Sequence, residues 1–191
     1  MPKLWDSTIE SHRHEVRAAV LRATSTVVSE RGLLGVTMTG IAKEAGIGRA
    51  TLYKYFPDVE SVLQEWHAEQ VHTHLEQLHA IAADDGGVVE RLRRVLRAHG
   101  TNLFESRIHA GAADAVASLH TGDRFEEHGV ALQRLVAGLI RTAQADHQLR
   151  DDLDADELAL FAVSAVSGSP RAASKAAALR LVDTTCAALA P

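Results

Sequence analysis

Arg49, Thr51, Tyr53, Lys54 and Tyr55 fall within the run Arg49-Ala50-Thr51-Leu52-Tyr53-Lys54-Tyr55, directly behind Gly46-Ile47-Gly48. If the run is helical, Leu52 and Phe56 lie one turn apart and form a buried edge. That leaves Arg49, Ala50, Thr51, Tyr53, Lys54 and Tyr55 on the outer surface. Such a surface offers hydrogen bonds and charge rather than bond-making chemistry. An arginine fork matches the O6/N7 edge of guanine, and an alanine or threonine methyl meets the thymine methyl. A short helix of this kind behind a tight turn is how a helix-turn-helix presents its recognition helix to the DNA major groove.

The flanking residues supply the elements that would hold this helix. Thr37 is an N-cap for a first helix, although Gly40 stands where a carboxylate would complete a capping box. Met38, Ile41, Ala42 and Ala45 recur at helical spacing and should face inward. Gly46 suits the left-handed residue that stops a helix, and Ile47 plugs the turn. Gly48 is an acceptable cap for the second helix, and Pro57 ends it for want of an N–H.

The run resembles the TetR family of bacterial regulators. The matching residues are Thr37, Ile41-Ala42, Ala45-Gly46-Ile47, Thr51-Leu52-Tyr53, Tyr55-Phe56 and Leu63. Upstream, Val20-Leu21, Ala23, Val27 and Glu30-Arg31-Gly32 are similar to that family's first helix. The resemblance implies an all-α fold of about nine helices, with a DNA-binding domain at 8–57 (helix-turn-helix proper 37–56) and a regulatory and dimerisation domain at 58–191. It assigns Arg49, Ala50 and Thr51 to base edges, and Thr37, Thr39, Tyr53 and Tyr55 mainly to phosphates. Lys54 suits either. Tyr53 and Tyr55 also admit a reading as half-buried packing residues. Where many members carry lysine at the start of the next helix, this chain has Asp58-Val59, so a shallower salt dependence of DNA binding is expected. A helical module with weak or lost DNA binding is the rival reading, and this departure is its support.

Composition sets the outer limits. A chain of 191 residues, 46% of them hydrophobic, can bury a substantial core. The formal net charge of -5 argues at first against a nucleic-acid partner. Residues 1–66, however, carry eight Lys/Arg and eight Asp/Glu, whereas residues 67–191 carry twelve and seventeen. The reader is neutral and the acidity lies elsewhere. Lys3, Arg13 and Arg17 suggest a basic arm or a solvated helix face. The single Cys186 excludes an internal disulfide and fits a reducing cytoplasm. The charge-free stretch Leu158 to Pro170 is too short to span a membrane, and no membrane partner is expected.

Helical spacing continues to the C-terminus. The first helix is expected over Thr8 to Arg31, with Val16, Val20, Ala23 and Val27 inside and Gly32 at its end. A long helix opens at Asp58 and carries Val59, Leu63 and Trp66, then Val71, Leu75, Leu78 and Ala82, before Asp84-Asp85-Gly86-Gly87. The next has the stripe Val88, Leu92, Val95, Leu96, His99, Leu103. A shorter helix is expected over Ala110 to Leu119. Asp123/Glu126 and Asp154/Glu157 read as capping boxes, and Ser169-Pro170 reads as the start of the last helix. The last two helices are alanine-rich; in the family such a pair forms a homodimer interface, for which Leu158, Phe161, Ala165, Leu179, Val182 and Cys186 are candidates.

Eleven histidines raise the question of metal. None pairs with another at i,i+3 or i,i+4, and His67/His74 and His72/His79 lie two turns, roughly 10 Å, apart. No metal site and no cofactor are expected. His72/Glu76 and Glu105/His109 read as solvent-facing pairs. His99 sits in the apolar stripe, either as a core histidine satisfied by a polar neighbour or as the anchor of an effector pocket. Trp66, Asn102, Phe104, Phe125 and His128 are the other candidate pocket residues for a small-molecule effector. No phosphate-binding glycine loop, nucleophile elbow or zinc-hydrolase motif is present, so an enzyme is not expected. The reading is a homodimeric DNA-binding repressor released from a palindromic operator by a small molecule.

Overall fold

The structure, a computed structural model, describes the backbone of residues 3–106 and 123–191 and the side chains of 10–106 and 127–191. The described residues form eight α-helices and two short 3-10 turns, with no strand. In chain order these are α1 Lys3–Arg31, α2 Met38–Glu44, α3 Arg49–Tyr55, α4 Val59–Ala83 and α5 Val88–Ser106. After them come α6 Asp123–Ala145, α7 Ala155–Val166 and α8 Lys175–Ala188. The expected helix at Ala110 to Leu119 and the Asp123/Glu126 side chains lie outside the described residues.

Contacts divide the described chain into two units, 3–70 and 71–106 with 123–191, the division falling inside α4. The first unit is organised around Val20, Val27, Val28, Leu33, Ile41, Leu52, Phe56 and Val62. Helix α1 begins ahead of the expected Thr8. It stops at Gly32, whose φ of 70° is open to glycine at no steric cost. Thr24 is a buried polar residue the apolar pattern did not flag; its hydroxyl donates to the Val20 carbonyl at 2.8 Å. On the stretch of α4 in this unit Val62 is fully buried, while Val59, Leu63 and Trp66 are partly buried against the same core.

The second unit is a helical bundle with Leu78, Leu92, Val95, Leu96, Val136, Ile140, Leu158, Ala162, Val166, Val182 and Leu189 at its centre. Asp154 and Glu157 form the expected capping box at the start of α7. Helix α6 gives way to a turn in which His147 takes a left-handed φ of 54°. Gly100 on α5 marks a close approach: a Cβ there would stand 2.8 Å from Val182 Cγ2 and 3.2 Å from both Ser169 Oγ and Val166 Cγ1.

One expectation for the C-terminal helices changes. Ser169-Pro170 does not open the last helix; it forms a 3-10 turn, and Ser174 caps α8 by accepting from the Ala177 N–H at 3.2 Å. Both serines have cap chemistry, and burial of Ser169 beside Gly100 decides between them. Phe161, a candidate for the subunit interface, is 47% exposed, beside Leu160 at 55%. Leu158 and Val182, expected at a subunit interface, are 2% and 0% exposed within this one chain. The inner stripe of α7 is Ala155, Leu158, Ala159, Ala162 and Val166, which turns Leu160 and Phe161 to the opposite side. Ala165, Leu179 and Cys186 are partly buried.

Candidate nucleic-acid interface

Each feature of the helix-turn-helix has a local cause. The Thr37 hydroxyl accepts from the Gly40 N–H at 3.0 Å and keeps its own proton free to donate. Helix α2 stops where Gly46 adopts φ 67°, and the Ile47 N–H closes back on the Ala42 carbonyl at 3.0 Å. Gly48, extended and without a side-chain cap, starts α3. Leu52 is 0% and Phe56 1% exposed, so the helix is fixed to the core by the edge its spacing indicated. Burying those two side chains stabilises the placement by roughly 4 kcal/mol in transfer terms.

The opposite edge is open. Arg49, Ala50, Tyr53 and Lys54 are exposed, as are Thr37 and Thr39 on the side of α2. Thr51 is partly buried, and Tyr55 packs against the core of the first unit, which accords with the packing alternative for that tyrosine. Lys43, which the sequence reading passed over, is exposed one turn from Thr39 on the same face; the i,i+4 spacing was the signal for it.

The same edge carries positive charge. Neither α2 nor α3 carries an acidic residue in its first turn. Among the described residues, no carboxylate forms an ion pair with Lys43, Arg49 or Lys54. In the second unit Arg93, Arg94, Arg97, Arg141, Arg150 and Lys175 each meet one. Cations left without a carboxylate partner at the same edge are available to an external anion, as DNA phosphates require. Arg17 does not belong with them. It bonds Glu65 and lies over the Phe56 ring, so it is part of the scaffold and not of a basic arm. Asp58 is held as the cap of α4: its Oδ1 accepts from the Ser61 N–H at 2.8 Å, and the Ser61 hydroxyl donates to its carbonyl at 2.8 Å.

The family model for bacterial regulatory proteins of the tetR family matches residues 20–65, from the middle of α1 into α4. A helix-turn-helix transcriptional regulator of Mycobacterium bovis is 26% identical over 144 residues, covering 72% of this chain and 76% of that protein. The crystal structure of a TetR transcriptional regulator from Streptomyces coelicolor superposes with a TM-score of 0.65 at 25% identity, over 92% of this chain and 98% of the other. Residues 20–65 of this chain are a TetR-family helix-turn-helix domain. The chain is a helix-turn-helix DNA-binding regulator of transcription, and both α2 and α3 lie inside the matched stretch. A further fold neighbour is a regulator from Saccharomonospora viridis in complex with choline, with TM-score 0.67, 22% identity, and coverage of 90% and 95%.

The described residues considered for an effector pocket fall in both units. Trp66 belongs to the first unit: its indole N–H donates to Ser25 Oγ at 2.7 Å, and the ring packs on the core of the reader. Phe104 is 7% exposed, a core residue of α5. The Phe125 side chain lies outside the described residues, and His128 is partly buried on α6. His99 has the polar neighbour that the bland reading required. Its Nδ1 stands 3.3 Å from His74 Nε2, with ring centroids 5.5 Å apart and planes 23° apart. These distances set the two nitrogens nearly in line, the geometry of an N–H···N hydrogen bond rather than of two ligands converging on a metal. Burial, and then the neighbouring His74, push His99 down to about 4. Burial also lowers His74, against a smaller opposing effect of its bond with Gln77. Asn102 is exposed, on a groove of about 420 Å³ lined also by His74, Gln77, Leu78, Ile81, Thr101 and Leu179. Of the expected solvent-facing pairs, His72 and Glu76 meet at 3.4 Å. Glu105 instead takes Lys175 at 2.6 Å, and His109 lies outside the described residues. No helix among the described residues is long and apolar enough to cross a membrane.

Proposed function

We propose that this chain is a cytoplasmic homodimeric repressor whose two α3 helices read a palindromic operator, and that a small molecule releases it. The observation that carries the reading is the outer edge of α3, where unpaired Arg49 and Lys54 stand with Ala50 and Tyr53 over a buried Leu52/Phe56 base. In this reading Arg49, Ala50 and Thr51 meet base edges. Thr37, Thr39, Lys43 and Tyr53 meet phosphates, Lys54 meets either, and Tyr55 supports the helix from behind. One recognition helix reads only a few base pairs, so function calls for two half-sites about one turn apart or a multiple of it.

Self-association is supported by α7, which is apolar on both sides. One side packs in the subunit core, and the other presents Leu160 and Phe161. A helix hydrophobic all round normally finds cover on each face. We place Phe161 and Leu160 at the interface in preference to Leu158 and Val182. The effector is supported by the choline complex of the Saccharomonospora viridis neighbour. The second unit, with His99 and Asn102 on α5, is the body we propose to receive it. Helix α4, common to both units, would carry the signal by its tilt, with a coupling of about 1–3 kcal/mol.

Footprinting of the DNA upstream of the chain's own gene tests the operator. A protected site with two-fold symmetry is expected, and binding without sequence preference would refute sequence-specific reading. Repeating the footprint with small cationic and acyl compounds tests release. His99→Leu with intact folding and an unchanged ligand response would remove His99 from the effector site.

A further inference from the structure

Arg49 and Tyr53 stand one turn apart on the exposed edge of α3, and the guanidinium carbon lies 5.9 Å from the centroid of the tyrosine ring. That is within the range at which a cation is held by an aromatic face. Helical side chains lean toward the N-terminus, so Tyr53 covers the turn in which Arg49 sits. Ala50 beside it is small and Gly48 ahead of it has no side chain, so neither fills the space the guanidinium uses. Among the described residues no carboxylate pairs with Arg49, whereas Arg17, Arg94, Arg97, Arg141 and Arg150 each meet one. The ring is therefore the partner that restrains this arginine before DNA arrives.

We propose that Tyr53 is a positioning residue for Arg49: its ring face holds the guanidinium along α3, so that the fork meets its base pair already ordered and discriminates there more sharply. This rests on the reading of Arg49 as a base contact. A freely moving arginine loses its rotamer freedom on binding, and it reaches a phosphate as easily as a base. A fork held in one direction favours the one bidentate acceptor in its path, the O6/N7 edge of guanine. The role differs from a phosphate contact by the tyrosine hydroxyl, because it needs the ring and not the oxygen.

The test uses the full chain and selection from a random DNA duplex pool, followed by affinities for the selected site and its single-base variants. The proteins are the parent, Tyr53→Phe, Tyr53→Leu, Arg49→Ala and the Arg49→Ala/Tyr53→Leu pair. Tyr53 is 45% exposed, so these changes leave the core of the reader intact, which circular dichroism checks. Tyr53→Phe is expected to keep discrimination at the base pair that Arg49→Ala loses. Tyr53→Leu is expected to lose about 2- to 5-fold of it there and little elsewhere, with no further loss in the double variant. If Tyr53→Leu lowers affinity uniformly over all sites and leaves discrimination at the Arg49 base pair unchanged, the proposal is overturned and Tyr53 keeps only its phosphate contact. If Arg49→Ala shifts no base preference, the base-reading role of Arg49 fails first and the proposal fails with it.

Discussion

Arg17 and Glu65, 48 residues apart in the chain, form a two-pronged ion pair, with Arg17 Nε donating to Glu65 Oε1 at 2.9 Å and a second bond from Nη2 to Oε2. The same guanidinium lies 4.9 Å from the ring centroid of Phe56, the C-cap of α3. One side chain of α1 thus joins the end of α3 to the start of α4. The two partners are 39% and 31% exposed, so solvent screens the pair and its contribution stays modest. Arg17→Met should lower the unfolding free energy by roughly 1 kcal/mol, from the ion pair and the ring contact together. Urea melts of both single variants and of Arg17→Met/Glu65→Gln measure the coupling. Full additivity would show that the pair contributes nothing.

Asp58 and Val59 bear on DNA affinity through charge and on stability through the cap. Val59→Lys should steepen the slope of log K against log salt by about 0.9, one additional phosphate contact. Asp58→Asn removes the negative charge while keeping an oxygen to accept from Ser61. It should tighten DNA binding with little change in stability. Asp58→Ala should cost about 1 kcal/mol in unfolding free energy, because the cap is lost. Identical salt slopes for the parent and Val59→Lys would dismiss the charge argument.

His99 makes folding pH-dependent. Its folded value of about 4 lies below the ordinary 6.5, so the unfolded chain binds the proton more readily between those limits. The stabilisation is complete above pH 6.5 and is lost as pH falls toward 4. Lowering the pH from 7.5 to 5.5 should cost roughly 1.3 kcal/mol from this group alone. His99→Gln should flatten that part of the stability profile in denaturant titrations. Parallel profiles for the parent and His99→Gln would mean that the buried neutral histidine is not the source.

Gly100 on α5 lies directly against Val182 of α8. Alanine is the better helix former by about 1 kcal/mol, so an exposed glycine at this position would gain from replacement. Here the added methyl would meet Val182 Cγ2 at 2.8 Å. Val182 is fully buried, and valine on a helix has little rotamer choice with which to yield. Gly100→Ala should therefore destabilise the second unit, by about 1–2 kcal/mol net of the helix preference. A rise in melting temperature would show that the bundle has slack there.

The elements that proved legible are those whose signals act within a few residues. Thr37, Gly46, Gly48, Asp58 and Asp154/Glu157 all cap or break helices where their chemistry indicated, because a cap is a bond between near neighbours in sequence. Ser169 and Ser174 show the limit of that logic: equal local chemistry, with the choice made by burial beside Gly100. Phe161 shows another, since a helix apolar on two sides does not announce which side the subunit itself will cover.

By itself the sequence determined the reader. Its helices, turn and outer edge arise from the contiguous stretch Thr37 to Phe56, in which spacing alone assigns Leu52 and Phe56 to the core and Arg49 and Lys54 to the surface. Only the tertiary structure decided which charged and polar groups are already engaged. Arg17 is taken up by Glu65, Trp66 by Ser25 and His99 by His74, from partners 48, 41 and 25 residues away. Those partners are brought within bonding distance by the packing of whole helices, and no local rule of capping or periodicity encodes that packing.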